Sequence, residues 1–382
     1  MIIKNVQIFD AVNETPYIGD IATENGKLTQ VGGSAVPTGG ETVIDGTGLR
    51  AYPGFVDAHC HIGLDSYGGP TAGAVDYNEH GDFCCPQMRG IDSYNPMDPA
   101  VRYALEGGVT TVGTGPGSAN VLGGTFFAVK LYGNSVDETA VKTSVAMKCA
   151  FGENPKRCYK DKGNSTRMST ASVLRRALFE ARDYMLRMEA AGDDYSRRPK
   201  FDMKMEALIP VLKKEIPLKA HAHRADDILT ALRIAKEFDV DITIEHCTEG
   251  HLITEQLVKA GVPVAVGPTL SNASKPELWN KSWSTPGILA AAGLQVSVIT
   301  DSPVTPQQYL PLCAGMAVKA GMDPFKALQA ITINPAKHLG IEDRVGSLEI
   351  GKDADIVLAD GDPMVSDTGI RKVIVDGKVL VG

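Results

Sequence analysis

Apolar positions along the chain fall into two regimes. At both ends they alternate with polar ones at the two-residue period of strands. Ile21-Ala-Thr-Glu and Lys27-Leu-Thr-Gln-Val31 flank Asn25-Gly26, while Val373-Ile-Val375 and Val379-Leu-Val381 flank Asp376-Gly377. Each dipeptide is a type I′ hairpin signal. Residues 354–359 add another short strand. In the long middle, short apolar strands alternate with amphipathic helices, as in βα units. Residues 170–190 place Leu174, Ala177, Leu178, Ala181, Met185 and Met188 on one helical face. Asp323-Pro324 caps and opens a helix through Ala330. Strands are expected at 110–112, 143–151, 218–222, 242–246, 263–266 and 295–300. The economical arrangement is an α/β chain: a (β/α)8 TIM-type barrel over residues 53–344, with a small β-sandwich domain formed by both termini, residues 1–52 and 345–382.

Length agrees with that division. A barrel needs about 250 residues, and the chain has 382. The net charge of −8 and the lack of a Lys/Arg stripe argue against nucleic acid as a partner. No apolar run approaches the ~20 residues of a membrane span. Met1-Ile2-Ile3-Lys4-Asn5 reads as a strand start and not as a signal peptide. Seven cysteines, odd in number and without CxxC spacing, suit a reducing compartment. These features predict a cytoplasmic protein with a small-molecule substrate, no nucleic-acid or membrane partner, and assembly as a homo-oligomer.

Five pieces carry candidate chemistry, each at or just past the C-terminal end of an expected strand, where barrels place their active sites. In Phe55-Val-Asp57-Ala-His59-Cys-His61, strand periodicity puts Asp57, His59 and His61 on one face. Two imidazoles one pleat apart can bind one metal, with Asp57 orienting them. In Phe151-Gly-Glu-Asn-Pro155, Glu153 follows a strand and can bridge two ions, or serve as a turn glutamate. Lys148, deeper in the same strand, is the alternative bridge if carbamylated. Lys219-Ala-His221-Ala-His223-Arg224 and Ile244-Glu-His246 end two further strands, and neutral imidazole suits zinc and similar divalent ions. In Val298-Ile-Thr300-Asp301-Ser-Pro303, an aspartate closes an apolar strand. The glycine-rich stretch 107–124 has no nucleotide-binding spacing and reads as a strand followed by a loop bending over the site. His80, His251 and His338 have no motif context and read as surface or packing residues.

H-x-H followed by His, His and Asp on successive later strands resembles the amidohydrolase superfamily. Ala51-Tyr-Pro-Gly-Phe-Val-Asp57 is similar to that family's entry strand, and Asn334-Pro-Ala-Lys337 with Gly346-Ser-Leu-Glu-Ile-Gly-Lys-Asp-Ala-Asp355 to its return to the β-domain. The pattern is most similar to imidazolonepropionase-like and dipeptidase-like members. The resemblance implies that His59, His61, His221 and His246 are metal ligands, that Asp301 is ligand and general base, and that one or two divalent ions, Zn2+ or another transition metal, are the cofactor. The implied reaction is hydrolysis of a C–N bond by metal-activated water. His223, Arg224, Asn120 and Tyr67 are the expected substrate contacts. Arg224 would grip a substrate carboxylate, unless it pairs with Asp226 or Asp227. Two rivals are a metal-dependent deaminase and a non-catalytic scaffold of the same fold. Family deaminases carry a glutamate where Arg224 stands, and no metal ligand is missing as it would be in a scaffold.

Overall fold

Two eight-stranded sheets organise the chain. The structure is a computed structural model, and it describes residues 1–65, 67 and 75–382. In the first sheet, Ile2–Ile8 pairs antiparallel with Tyr17–Glu24 and parallel with Arg50–Pro53. Arg50–Pro53 in turn pairs with Ile356–Ala359, which is followed by Ile370–Val375 and Lys378–Val381. Both ends of the chain thus share one sheet. Its two hairpin turns have positive φ at both central residues, 50° and 79° at Asn25-Gly26 and 48° and 73° at Asp376-Gly377, as type I′ geometry demands. The Lys27–Val31 hairpin arm curls back so that Leu28 hydrogen-bonds to residues 351 and 352. This encloses a core of Ile3, Val6, Ile8, Ile21, Leu28, Ile356 and Ile374.

The second sheet is the barrel. Its strands are β1 (Phe55–Cys60), β2 (Val109–Thr114), β3 (Leu122–Lys130), β4 (Ala140–Ala150), β5 (Leu218–Ala222), β6 (Ile242–His246), β7 (Val264–Val266) and β8 (Val296–Val298), hydrogen-bonded in that order. The ring is joined just beyond β8, where Asp301 N donates to His59 O (3.2 Å) and His61 N donates to Ser302 O (2.8 Å). Asp57 holds the same seam. Its buried carboxylate accepts from Thr300 N and Oγ1 (3.0 and 2.7 Å), Gln307 Nε2 (2.6 Å) and its own strand's His59 N (3.0 Å). Asp57 therefore fixes backbone and makes no contact with an imidazole nitrogen.

One strand departs from the expected alternation. β3 runs antiparallel to both β2 and β4. The segment expected to end as a loop over the site turns back at residues 115–121 and re-enters the wall. Phe126, Phe127, Ala128 and Val129 are all fully buried, a run that only a strand covered on both faces can satisfy. Because β3 is reversed, it reaches β4 through the short helix Val136–Thr139 and needs no long crossover.

The helices cover the outside. Arg167–Ala191 starts at a capping box of Thr166 and Ser169 and buries Leu174, Ala177, Leu178 and Ala181. Pro324–Gln329 is capped by Asp323, whose carboxylate accepts from Lys326 N at 2.8 Å. At the junction of the two sheets, Lys130 at the end of β3 is buried among Asp353 (2.8 Å), Asp355 (3.1 Å) and Asp376. Among the described residues, no helix is long and apolar enough to cross a membrane. All seven cysteines are free thiols.

Candidate metal centre

The C-terminal strand ends bring His59, His61, His221, His223, His246 and Asp301 together in two overlapping groups. His221, His223 and His246 form one, and His59, His246 and Asp301 the other, with ligand atoms in each lying within 4.8 Å of one another. His61 joins the second group through Nε2, 3.3 Å from Asp301 Oδ1. Backbone carbonyls set the ring orientations. His61 Nδ1 is bonded to Gly115 O and His246 Nδ1 to Gly267 O, both at 2.8 Å. Each bond places the proton on Nδ1 and leaves Nε2 with a free lone pair. His246 Nε2 and both nitrogens of His221 are buried and, among the described residues, have no hydrogen-bond partner. His246 and Asp301 have φ of 71° and 51°. A non-glycine residue in this left-handed region costs ~1–3 kcal/mol, a strain found at functional sites.

Burial sets the charge states. It drives His246 to a pKa of about 4, and it holds His59, His221 and His223 well below the ordinary imidazole value. At neutral pH the four rings are uncharged and their lone pairs available. Burial opposes ionisation of Asp301, but the rings of His246, His61 and His59 outweigh it and keep the carboxyl below the usual range. Lys148, fully buried on β4, has Nζ 3.0 Å from His59 Nε2. Its pKa falls to about 8, chiefly through burial.

Beneath the cluster lies a network that strand periodicity alone does not reveal. Glu245 accepts from His59 Nδ1 (3.0 Å), His338 Nε2 (2.8 Å) and Thr243 Oγ1 (2.6 Å), and it pairs with Lys219 Nζ at 2.9 Å. All of these groups are buried. Glu245, and not Asp57, is thus the carboxylate that orients the His59 ring. His338 is a buried member of this network and not a surface residue. Simple strand alternation assigns Glu245 and His246 to opposite faces. The left-handed backbone at His246 breaks that alternation, so both side chains reach inward.

A sequence model described as the amidohydrolase family matches residues 50–380. The chain belongs to the amidohydrolase family. A solved amidohydrolase from Thermotoga maritima MSB8 superposes with a TM-score of 0.95 at 40% identity, covering 99% of each chain. Amidohydrolase tasK of Hapsidospora irregularis is 31% identical over 94% of this chain, which spans 40% of that protein's length. Imidazolonepropionase of Symbiobacterium thermophilum is 26% identical over 89% of this chain and 83% of its own. Membership supports a hydrolase acting on C–N bonds, and the His/Asp cluster is one that could hold a divalent metal.

In this amidohydrolase four expected site residues lie outside the cluster. Glu153 opens the helix Glu153–Cys158, and its partly exposed carboxylate pairs with Arg167 (3.1 Å) and Lys156 (3.4 Å). Lys148, by contrast, lies inside the cluster against His59. Arg224 is exposed and held in a two-pronged pair with Asp226 (3.0 and 2.8 Å), the structural alternative to a substrate contact. Asn120 is buried, and its Nδ2 is spent on Glu79 O, Asp82 O and Tyr159 Oη. It braces a loop. Tyr67 is exposed, with its ring 5.1 Å from that of Tyr103. His223 does join the cluster, with Nδ1 bonded to Thr248 Oγ1 at 2.8 Å.

Proposed function

We propose that this amidohydrolase cleaves an amide, cyclic-amide or peptide-like C–N bond of a small molecule, using one or two divalent ions, zinc first among them. The observation that carries the reading is the set of buried, uncharged and partnerless imidazole nitrogens on His221 and His246, facing the ionised Asp301. Buried polar atoms without partners are costly unless something binds them. Imidazole with carboxylate is a donor set that suits zinc. The donors fit His59, His61 and Asp301 around one ion and His221 and His246 around a second. Two dications side by side need a negative bridge, and Lys148 supplies it if its neutral amine adds carbon dioxide, forming an N–C bond and releasing one proton.

When bound, the metal would acidify a water and polarise the scissile carbonyl. Asp301 takes up the proton of the attacking water and returns it to the leaving nitrogen. Its strained backbone holds the carboxylate against the His59 and His61 rings, which limits its motion between the two transfers. Glu245 keeps the His59 ring in one tautomer. His223, whose Nδ1 is committed to Thr248 and whose Nε2 lies 3.9 Å from Glu277 Oε1 at the edge of the cluster, contacts substrate. Deamination is disfavoured because the carboxylates near Arg224 are occupied: Asp226 by Arg224 and Asp227 by Arg167. The test is a screen of metal-reconstituted protein against N-acyl amino acids, dipeptides and cyclic amides, with aminated heterocycles as controls. Turnover of one of the first three classes, abolished by chelator, is expected. Ammonia release from the heterocycles alone would replace this reading with the deaminase.

A further inference from the structure

The barrel end opposite the metal centre has a concavity of its own. A cavity of about 930 Å3 opens between the N-terminal ends of β5 to β7 and the helices Ala225–Phe238, Thr254–Ala260 and Ile333–Leu339. That volume falls in the ~300–1,000 Å3 range of small-molecule sites. Leu229, Leu232 and Val262 contribute an apolar wall. Lys142, Arg233, Lys236, Lys259 and Lys337 ring it, against two carboxylates, Glu215 and Asp241. In a chain of net charge −8 this is a local reversal of sign. Elsewhere lysines such as the half-buried Lys204 and the exposed Lys214 sit 2.5 and 2.8 Å from carboxylates. Among the described residues, none of the four basal lysines has such a partner. Cations around a concave, low-dielectric wall focus their field into it.

Metal chemistry makes no use of this end of a barrel, where catalytic residues are not placed.

We propose that this basal cavity is a second small-molecule site, taking an organic anion with an apolar body. The lysines attract the anionic group, and the leucine and valine side chains cover the body. The site stands independently of the substrate assigned to the metal centre.

The experiment pairs two probes that differ only in charge. 8-Anilinonaphthalene-1-sulfonate carries an apolar body, an N–H and a sulfonate; N-phenyl-1-naphthylamine lacks the sulfonate. Each is titrated by fluorescence into the metal-loaded full chain, into Lys236→Glu/Lys259→Glu, and into Lys236→Gln/Lys259→Gln in case charge reversal lowers the melting temperature. Saturable binding of one anion per chain is expected, tighter than the neutral probe by about tenfold or more and weakened by salt. Either double variant should bring the two probes to within about twofold of each other. Equal affinities in the unsubstituted protein, no saturable binding, or an anion preference that survives both double variants would overturn the proposal.

Discussion

Asp301 combines three properties seldom found together: a left-handed backbone, a carboxylate with only 15% of its side chain exposed, and two imidazole nitrogens at 3.3 and 3.6 Å. In the proposed reaction such a group acts on protons. Asp301→Asn is expected to lower kcat on the order of 10²–10⁴-fold while KM changes little. A variant with near-normal kcat would move the base elsewhere. Position 148 separates the two bridge candidates. Lys148→Met should bring metal content down towards one ion per chain, and Glu153→Gln should leave it unchanged; elemental analysis of both variants decides. Glu245→Gln should weaken metal affinity roughly 10–100-fold, as loss of an orienting carboxylate does, read by competition with a chelator. At this scale the ligand types were legible because packing alone seldom places histidines two residues apart on short apolar strands. Glu245 and His338 were not legible as partners. Their contact spans 93 residues and depends on how strands meet across a barrel interior. For Glu153 the sequence leaves two uses open, because a carboxylate just after a strand is equally a helix opener, and its pair with Arg167 depends on the fold.

Among the elements, the reversed β3 governs the shape of the wall beside the metal centre. Phe126 on β3 lies with its ring 5.1 Å from that of His59. The strand depends on Gly124, where φ is 113° and a Cβ would stand 2.3 Å from Met88 O. Gly124→Ala is therefore expected to destabilise the fold by several kcal/mol, on the order of the ~1–3 kcal/mol of backbone strain plus the cost of displacing the residue 88 backbone. Chemical denaturation measures it, and an unchanged midpoint would show that the strand can shift. The terminal hairpins and the helices at Arg167–Ala191 and Pro324–Gln329 were legible through their turn and capping residues. β3 was hidden because three glycines at 115, 117 and 123 read locally as loop, whereas burial on both faces is decided by the rest of the barrel.

The two sheets of the molecule are pinned by Lys130 and its three aspartates. Here pH acts in two directions. Burial raises Asp355 to a pKa of about 6, so the folded protein takes up a proton that the unfolded chain binds only nearer its ordinary value. That group's contribution becomes more favourable as pH falls from 6 towards 4. Asp353 is the opposite case. Burial would raise it, but Arg344, Lys130 and Lys27 lower it to about 2, so its stabilisation is complete above pH 4 and lost as pH falls towards 2. Relative to Asp355→Asn, the unsubstituted protein should therefore gain unfolding free energy between pH 6 and 4, and a constant difference across that window would contradict the assignment. The sharing of one sheet by both ends also has a consequence for the newborn chain. Arg50–Pro53 finds its neighbour Ile356–Ala359 only after the barrel has been synthesised. At ~5–20 residues per second the wait is roughly 15–60 s. Throughout it Arg50–Pro53 presents an open sheet edge, and Ile3, Val6 and Ile8, fully buried in the finished molecule, lack the cover of Ile356 and Ile374. Translation speed and chaperone supply, more than the intrinsic stability of either sheet, then govern how much of the chain escapes aggregation at the ribosome.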